Sequence, residues 1–502
     1  MNYIIAIDQG TTSSRTILFD EKCNIIDVAQ MEISLTFPKS GWVEQNPDEI
    51  WLSVLETIKK VLQNQNINFE NIKSIGIANQ RETTILWDKK TGEAVVPAIV
   101  WQSRQSQDIC DKIIDEGYLE LIQNKTGLII NPYFSASKLK FIFDHNTELL
   151  NRAKAGELLF GTVDTYLVWK LTEGKVHATD YTNASRTMLY NIHTLSWDQE
   201  LLDLFGVPKC ILPEVKESSC FYGMATALKD ITNGYNIPIN AVVGDQQASL
   251  FGQCCFHSGD IKNTYGTGCF MLMNTKNKIV KSSNGLLTTI AWGLKGEIEY
   301  ALEGSVFVGG SAVQWLRDGL RAITKSSDVE KYSSRIEGSN GVYFVPAFVG
   351  LGTPYWDNDA RGSVFGITRG TKKEHFVNSV VESIAYQSKD VMEVMIKESG
   401  YCIKNLAVDG GASINNYLMQ FQADILNCRI TRPSVLETTA KGAAYLAGLY
   451  SGVWSNKSQL EKLNSVDRIF LSKIDDKERN KLYSGWKMAV KATRTFKVNE
   501  GE

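Results

Sequence analysis

The segment that most constrains the fold of this chain lies close to its first residue. Residues 8–15 read DQGTTSSR and separate a short apolar run at 3–7 from another at 17–19. This pattern predicts two strands joined by a tight turn, in which Gly10 lets the backbone turn where a side chain would clash. We therefore expect the chain to begin with a β-hairpin whose turn is rich in polar groups.

The turn carries groups suited to an anion and to a cation. Consecutive backbone N–H groups in such a turn can form a concave anion site, and four hydroxyl side chains add further donors. Asp8, at the end of the first strand, offers oxygen ligands of the kind that Mg²⁺ prefers. The segment predicts a phosphate-binding turn with a magnesium ligand, although an ordinary polar hairpin turn would have the same composition.

Length and composition exclude several classes of protein. With 502 residues the chain is too long for one hydrophobic core, which predicts two or more domains. The net charge of −3 gives no reason to expect nucleic acid or an anionic membrane as a partner. No stretch approaches the roughly 20 apolar residues that span a bilayer, and the first residues lack the basic region of a typical signal peptide, so we expect none. The nine cysteines lack zinc spacing, so we expect a cytoplasmic protein with free thiols.

Short apolar runs alternate with segments of helical period along the chain, which is the pattern of an α/β protein. Residues 261–272 read IKNTYGTGCFML and again predict a strand, a Gly/Thr turn and a strand. Two such hairpins, one in each half, indicate two similar domains that face each other across a nucleotide. Because Gly/Thr turns are common, a coincidence would give the same pattern.

A third glycine-rich turn, Gly410 and Gly411, lies between a predicted strand at 406–409 and a predicted helix at 415–426. Small residues allow close approach of a ligand, and the N-terminus of a helix attracts anions. A tight connection between a strand and a helix would need the same glycines. The turn is thus a second candidate contact for a nucleotide.

Six polar residues, NQRETT at 79–84, directly follow a predicted buried strand at 72–78. Open α/β sheets bind ligands at the carboxyl ends of their strands. Arg81 offers only donors and Glu82 only acceptors, and a polyol needs both because each hydroxyl donates and accepts. The alternative is a self-paired salt bridge on the surface.

Asp245 is the candidate general base. It follows an apolar run at 241–243 within the sequence GDQQ, and a positioned carboxylate can take the proton of a hydroxyl that attacks a phosphate. The alternative is an aspartate that caps the following helix. Trp101 could form an apolar wall against a small carbon skeleton and Tyr133 could reach a ligand with its hydroxyl, or both could simply pack in the core.

Taken together, these stretches resemble the FGGY family of carbohydrate kinases over nearly the whole chain. Within that family the runs at 80–84 and 265–270 are most similar to the branch that phosphorylates glycerol. The matching stretches are residues 8–15, 41–44, 79–84, 161–165, 179–188, 244–247, 265–270 and 410–420.

The resemblance implies an α/β fold of two actin-like, ribonuclease-H-like domains with ATP in the cleft between them. Residues 1–250 would form the N-terminal FGGY domain with the substrate site and phosphate turn, and residues 251–502 the C-terminal FGGY domain that binds the nucleotide. The implied reaction is the ATP-dependent phosphorylation of glycerol to sn-glycerol 3-phosphate, with Asp245 as general base and Mg-ATP held between the domains. A homodimer or homotetramer is implied as well.

The resemblance also assigns roles to single residues. The polyol contacts would be Arg81, Glu82, Tyr133, Asp245 and Gln246, with Trp101 and Phe270 as the aromatic wall. The phosphate turn would contribute Thr11, Thr12, Ser13 and Arg15, and Asp8 would be the magnesium ligand. In the second domain, the nucleotide contacts would be Thr267, Gly310, Gln314, Gly411 and Asn415.

Departures from the family pattern concern regulation. Residues 228–238 contain no histidine for phosphorylation by a phosphocarrier, and 233–236 match the fructose 1,6-bisphosphate loop of some relatives poorly. Lys441 stands in a predicted small-residue helix at 438–449, where relatives carry an apolar residue, and is expected on the surface or in a shifted contact. Actin-like folds also occur in filament proteins and chaperone ATPases, which phosphate turns alone do not exclude.

Overall fold

The computed structural model describes residues 1–64, 67–357 and 359–496. The strands of the first half are β1 (Tyr3–Gln9), β2 (Ser13–Asp20), β3 (Ile25–Glu32), β4 (Glu44–Gln45), β5 (Ile72–Asn79), β6 (Ile85–Asp88), β7 (Ala98–Ile99), β8 (Leu158–Gly161), β9 (Ala178–Asp180), β10 (Tyr190–Asn191), β11 (Ser196–Trp197), β12 (Glu214–Lys216), β13 (Ser219–Met224) and β14 (Pro238–Gly244). Those of the second half are β15 (Ile261–Tyr265), β16 (Cys269–Lys276), β17 (Leu287–Leu294), β18 (Glu297–Val306), β19 (Tyr343–Val345), β20 (Ser363–Phe365), β21 (Asn405–Asp409), β22 (Arg429–Pro433) and β23 (Val466–Phe470).

Helices lie between these strands. They are α1 (Pro47–Asn64), α2 (Gln107–Asp115), α3 (Leu119–Thr126), α4 (Ser135–His145), α5 (Thr147–Lys154), α6 (Val163–Leu171), α7 (Tyr181–Ala184), α8 (Gln199–Phe205), α9 (Asp245–Gly252), α10 (Gly310–Asp318), α11 (Asp328–Ser333), α12 (Lys373–Ser399), α13 (Asn416–Leu426), α14 (Thr438–Tyr450), α15 (Lys457–Leu463) and α16 (Asp476–Thr495). No helix in the three described ranges is long and apolar enough to cross a membrane.

The two halves are built around two mixed sheets of similar design. The first has six strands in the order β13-β14-β5-β1-β2-β3, and the second has seven in the order β17-β18-β16-β15-β21-β22-β23. In each, a hairpin at the start (β1–β2, β15–β16) has a parallel strand beside its first member, β5 or β21. The predicted α/β fold and the predicted hairpins are thus confirmed, and the repeat is not a coincidence of turn residues.

The continuous apolar run of β1 reflects burial on both faces of the first sheet. Ile5 and Ile7 pack in one core cluster with α1, while Ile4 and Ala6 pack in another with α14. A strand covered on both sides has no solvent face, so its sequence does not alternate between polar and apolar residues.

Helix α14 belongs to the second half in sequence but packs on the first sheet and on α9. A Cβ atom on Gly442 would lie 1.8 Å from the carbonyl oxygen of Ala248, and one on Gly76 would lie 2.3 Å from that of Ala443. The small residues of the predicted helix therefore allow its backbone to approach α9 and β5 directly. The helix thus packs in a core cluster that contains residues of both halves.

Lys441 of α14 is buried, with 2% of its surface exposed, so the expectation of an exposed side chain is wrong. Its Nζ donates to Asn464 Oδ1 at 2.8 Å, and Asn464 Nδ2 donates to the carbonyl oxygen of Gln253 at 3.2 Å. The lysine thus connects α14 through Asn464 to the end of α9.

Candidate active site

Three neighbouring strands of the first sheet end at one place. Gln9 of β1 lies opposite Asn79 of β5, which lies opposite Gly244 of β14. The polar segments at 8–15, 79–84 and 244–247 directly follow or overlap these ends, so the strand register alone brings the three together. This is the edge at which α/β sheets bind ligands.

Arg81 and Glu82 are buried, with 3% and 1% of their surfaces exposed, so the alternative of a surface salt bridge is wrong. Arg81 forms a two-point contact with Glu303 of β18, from Nη1 to Oε2 at 2.6 Å and from Nη2 to Oε1 at 3.0 Å. Nη1 also donates to Gln247 Oε1 at 3.0 Å. A planar guanidinium held at two points has little freedom to turn.

Glu82 is held by a second arginine, Arg186. Arg186 Nε donates to Glu82 Oε1 at 2.6 Å, and its Nη2 donates to Glu303 Oε1 at 3.0 Å. Burial raises the pKa of Glu303, but the two guanidinium groups outweigh it and hold the pKa at about 2. Burial raises the pKa of Glu82 despite its arginine neighbours.

Asp245 is the first residue of α9 and faces this cluster. Gly244 and not Asp245 occupies the N-cap position, although Asp245 Oδ1 accepts from the N–H of Gln246 in the first turn at 2.7 Å. Arg81 Nε lies 3.3 Å from Asp245 Oδ1, and 28% of the aspartate side chain is exposed. Partial burial raises the pKa of Asp245, against the opposing charges of Arg81 and Lys262. We call Arg81, Glu82, Arg186, Asp245 and Glu303 the charged floor.

Lys262 of β15 orients Gln246 beside the base candidate. Its Nζ donates to Gln246 Oε1 at 2.6 Å and to Thr264 Oγ1 at 2.8 Å. Gln246 Nε2 in turn donates to Asp245 Oδ2 at 3.3 Å. Burial lowers the pKa of Lys262 to about 8. The predicted polyol contact Gln246 is thus fixed from the second sheet.

Trp101, Tyr133 and Phe270 lie together, as expected of an aromatic wall. The ring centroid of Trp101 lies 5.5 Å from that of Tyr133 and 6.2 Å from that of Phe270, and both ring pairs are T-shaped. Lys138 Nζ supports the wall by donating to the carbonyl oxygens of Tyr133 at 2.6 Å and Glu82 at 3.1 Å. Burial lowers the pKa of this lysine to about 7.

The phosphate turn itself is short, because Asp8 and Gln9 belong to β1 and β2 begins at Ser13. Trp101 Nε1 donates to Thr11 Oγ1 at 2.8 Å, which ties the turn to the aromatic wall. Thr12 is exposed, and Thr11 and Ser13 are half-buried. Arg15, a predicted phosphate contact, pairs with Glu437 and donates from Nη2 to Gln30 Oε1 at 2.7 Å.

Asp8 lies among acidic neighbours. Burial and the charges of Asp245 and Glu437 raise its pKa to about 7, with Arg15 opposing them. Across the described parts of the chain, no group of three or more His, Cys, Asp or Glu side chains forms a ready metal site. A single carboxylate short of positive partners fits a magnesium ion that keeps several waters and is held mainly by substrate phosphates.

The predicted nucleotide contacts of the second domain lie on two turns beside β15. The Gly309 and Ser311 N–H groups donate to the carbonyl oxygen of Thr267 at 2.8 and 3.1 Å, which joins that turn to the start of α10. Gly310 begins α10 and Gln314, on the same helix, is exposed.

The other turn connects β21 to α13. Gly410 has φ of +83°, and a Cβ on it would lie 2.6 Å from the carbonyl oxygen of Tyr265. Gly411 is exposed, with open space where its Cβ would be. Asn415 Oδ1 accepts from the Leu418 N–H at 3.0 Å and so caps α13. A short 3₁₀ turn separates Gly410 from α13, which the sequence pattern did not predict.

Four charged residues of the site were not predicted: Arg186, Glu303, Lys262 and Lys138. Each is buried. Glu303 follows the apolar run at 300–302 of β18. A charge at a buried strand position needs a buried partner, and this is the signal that could have identified Glu303.

Comparisons with known proteins show which family this chain is similar to. The model for "FGGY family of carbohydrate kinases, N-terminal domain" matches residues 3–252, and that for the C-terminal domain matches residues 261–450. A glycerol kinase of Listeria monocytogenes is 57% identical over 495 residues, 99% of each chain. The crystal structure of Plasmodium falciparum glycerol kinase with ADP superposes with a TM-score of 0.92 at 37% identity and 98% coverage of each chain. A xylulose kinase from Lactobacillus acidophilus, at 24% identity, shares the fold with a TM-score of 0.88 and 98% coverage of each chain.

Proposed function

The chain belongs to the FGGY family of carbohydrate kinases, and we propose that it transfers the γ-phosphoryl group of ATP to glycerol, giving sn-glycerol 3-phosphate. The observation that carries the proposal is the charged floor, where Arg81 and Glu82 lie buried beside Asp245 and next to an aromatic wall. The similarity to glycerol kinases along the whole chain supports the same substrate. A filament or chaperone function finds no support in these comparisons.

Glycerol is a small molecule with three hydroxyls on an apolar carbon chain. Arg81 would donate to its oxygens and Glu82 would accept from its hydroxyls. Gln246 and the Tyr133 hydroxyl would complete the polar contacts, while Trp101 and Phe270 would cover the carbons. A buried site built for hydroxyls rejects molecules that leave its polar groups unpaired.

Asp245 would act as general base. The terminal hydroxyl of glycerol would give its proton to the Asp245 carboxylate as its oxygen forms the new bond to the γ-phosphorus. The bond between that phosphorus and the β,γ-bridging oxygen would break, and ADP would leave with the electron pair. Partial burial raises the pKa of this carboxyl, which makes its ionised form a better proton acceptor.

The residues of the first turn would hold the transferring phosphate. Thr11, Thr12 and Ser13 offer hydroxyls and backbone N–H groups, and Arg15 offers a positive charge from the adjoining strand. Asp8 would hold Mg²⁺, directly or through water, and the bound ion would neutralise charge on the β- and γ-phosphates. Its raised pKa supports this role, since a cation would offset the repulsion from Asp245 and Glu437.

The second domain would hold the rest of the nucleotide. We assign this role to a set called here the nucleotide turns: Thr267, Gly310, Gln314, Gly411 and Asn415. The family-domain matches support a division of the chain near residue 250, with 1–250 and 251–502 as the two domains. The homodimer or homotetramer and the cytoplasmic location stay predictions.

The proposal is tested by incubating the purified protein with ATP, magnesium and glycerol and identifying the product. We expect one sn-glycerol 3-phosphate for each ADP formed, and no product without magnesium. ADP release that does not depend on glycerol would contradict the proposal, because it would make the protein an ATPase.

A further inference from the structure

The two charged residues proposed to bind glycerol are each held by an oppositely charged residue that has no assigned role. Glu303 holds Arg81, and Arg186 holds Glu82. We propose that Glu303 and Arg186 are positioning residues that set the geometry of the polyol contacts, with Glu303 joining the second domain to the substrate site of the first. This inference rests on the proposed function.

The contacts form a closed chain of charges. Glu303 accepts from Arg81 at two points and from Arg186 at 3.0 Å through Oε1, while Arg186 donates to Glu82 at 2.6 Å. Arg81 Nε lies 3.8 Å from Glu82 Oε1, which closes the chain. Two positive and two negative groups thus balance in a place closed to water, where an unpaired charge is costly.

Arg186 is also restrained by two aromatic rings. Its guanidinium lies 5.5 Å from the ring centre of Tyr133 and 5.2 Å from that of Phe134. Arginine stacks on aromatic faces in this way, which restricts its plane. The residue that orients Glu82 is therefore held by the same tyrosine that is proposed to contact glycerol.

Glu303 has a further effect through charge. Arg81 Nε lies 3.3 Å from Asp245 Oδ1, so the arginine stands between two carboxylates, one from each side. Without Glu303, Arg81 would turn fully toward Asp245. The guanidinium groups of Arg81 and Arg186 would also lose the buried carboxylate that they share. Glu303 therefore keeps Arg81 directed at the polyol and keeps it from pairing fully with the base.

Glu303 joins the second half of the chain to the arginines of the first half. It lies on β18 of the second sheet, whereas Arg81 and Arg186 come from the first half of the chain. Neighbouring contacts also join the halves there, including Ser185 Oγ with Thr289 Oγ1 at 3.0 Å. The polar contacts to the polyol are thus set by both domains, even though the residues that form them lie in the first half.

The test compares Glu303→Gln with a matched control, Glu299→Gln. Glu299 is also a buried glutamate of β18, with 5% exposure, and pairs with Lys457 at 2.6 Å and Lys276 at 3.0 Å away from the site. We expect Glu303→Gln to raise the KM for glycerol at least tenfold and to change the KM for ATP less than twofold. The control should leave both constants within twofold. Equal effects of the two variants would overturn the proposal.

A double variant separates positioning from general loss of structure. If Glu303 acts through Arg81, the change Glu303→Gln should lower kcat/KM for glycerol far less in an Arg81→Gln background than in the unmodified protein. If the losses of kcat/KM in the two single variants multiply in full in the double variant, the proposal is overturned. If Glu303→Gln does not fold, Glu303→Asp, which keeps the charge on a shorter side chain, is measured in the same cycle.

The unmodified protein is assayed first, so that the two proposals can fail separately. Turnover of xylulose or gluconate in place of glycerol would contradict the proposed substrate, and the variants would then be compared with that substrate. A loss in Glu303→Gln with the new substrate would still support the positioning role.

Discussion

The charged floor and the nucleotide turns are proposed to hold the two substrates of one reaction, but they are built differently. Four of the five floor residues are buried, Asp245 is half-buried, and their charges pair with one another across the two halves of the chain. In the nucleotide turns Thr267, Gln314 and Gly411 are exposed, and backbone geometry at glycines and helix starts determines their shape. From this contrast we propose that the polyol contacts are set before binding, whereas the main chain of the turns would contribute most of the hold on the nucleotide.

The difference has a consequence for mutations. In the charged floor, a change of charge should alter chemistry or the binding of the polyol, because each group is fixed by its partners. In the nucleotide turns, a change in backbone freedom should matter more than a change in side-chain charge. Of the four variants below, in order from the largest expected effect to the smallest, those at Asp245, Gly410 and Asn415 test this contrast, and the one at Asp8 concerns the phosphate turn, which belongs to neither set.

Asp245→Asn should lower kcat by about 10²–10⁴-fold, because an amide cannot accept the proton of the attacking hydroxyl. Binding of ATP, measured by calorimetry, should stay unchanged. Asp203→Asn, at an exposed position of α8, is the control and should retain full activity. If Asp245→Asn has the same kcat as the control, Asp245 is not the general base, and the charged floor has no role in the chemical step.

Asp8 should make magnesium binding depend on pH near neutrality. Its pKa is raised to about 7, so below that pH a proton must leave for each ion bound. The apparent affinity for Mg²⁺ should therefore fall by about tenfold per pH unit on the acid side and level off above pH 8. The measurement is the magnesium dependence of kcat/KM for ATP between pH 5.5 and about 8.5. Asp8→Asn should bind the ion weakly at every pH, and an unchanged slope in that variant would contradict the assignment.

Gly410→Ala should destabilise the protein by about 1–3 kcal/mol, since its φ of +83° is strained for alanine and its Cβ would meet the Tyr265 carbonyl oxygen. Gly411→Ala is the matched neighbour, with open space at its Cβ, and should change stability by less than about 0.5 kcal/mol. Both are measured by denaturant unfolding. We expect a higher KM for ATP in each, and equal stabilities would show that the backbone at Gly410 does not shape the turn.

Asn415→Ala should remove the cap of α13, at a cost of about 1 kcal/mol, and weaken ATP binding. Asn456→Ala is the control, because Asn456 Oδ1 caps α15 in the same way by accepting from the Gln459 N–H at 3.0 Å. The two variants should lose similar stability, but only the first should raise the KM for ATP. A parallel rise in both would mean that the cap acts through global stability and not through the nucleotide.

Local pattern was enough to predict the hairpins, the buried strand at 72–78 and the polar segments at the strand ends. The rule that ligands bind at such ends predicts a site at residues 79–84, and the pairing of β14 with β5 brings residues 244–247 to the same edge. These features depend on residues close in sequence or on the general register of a parallel sheet.

Contacts between distant segments were not predictable in this way. Glu303 pairs with Arg81 across 222 residues, and no period or motif in a single sequence specifies that pairing. The docking of α14 on the first sheet is of the same kind, because small residues indicate close packing but not the partner. The expected exposure of Lys441 is wrong for this reason, because Asn464, which accepts from its Nζ, lies in a later loop.

The central claim, that the charged floor selects glycerol, is tested most directly by a competition. The protein is incubated with ATP, magnesium and equal concentrations of glycerol, xylulose and gluconate, and the phosphorylated products are separated and identified. We expect glycerol 3-phosphate as the dominant product. A phosphorylated xylulose or gluconate in its place would contradict the claim.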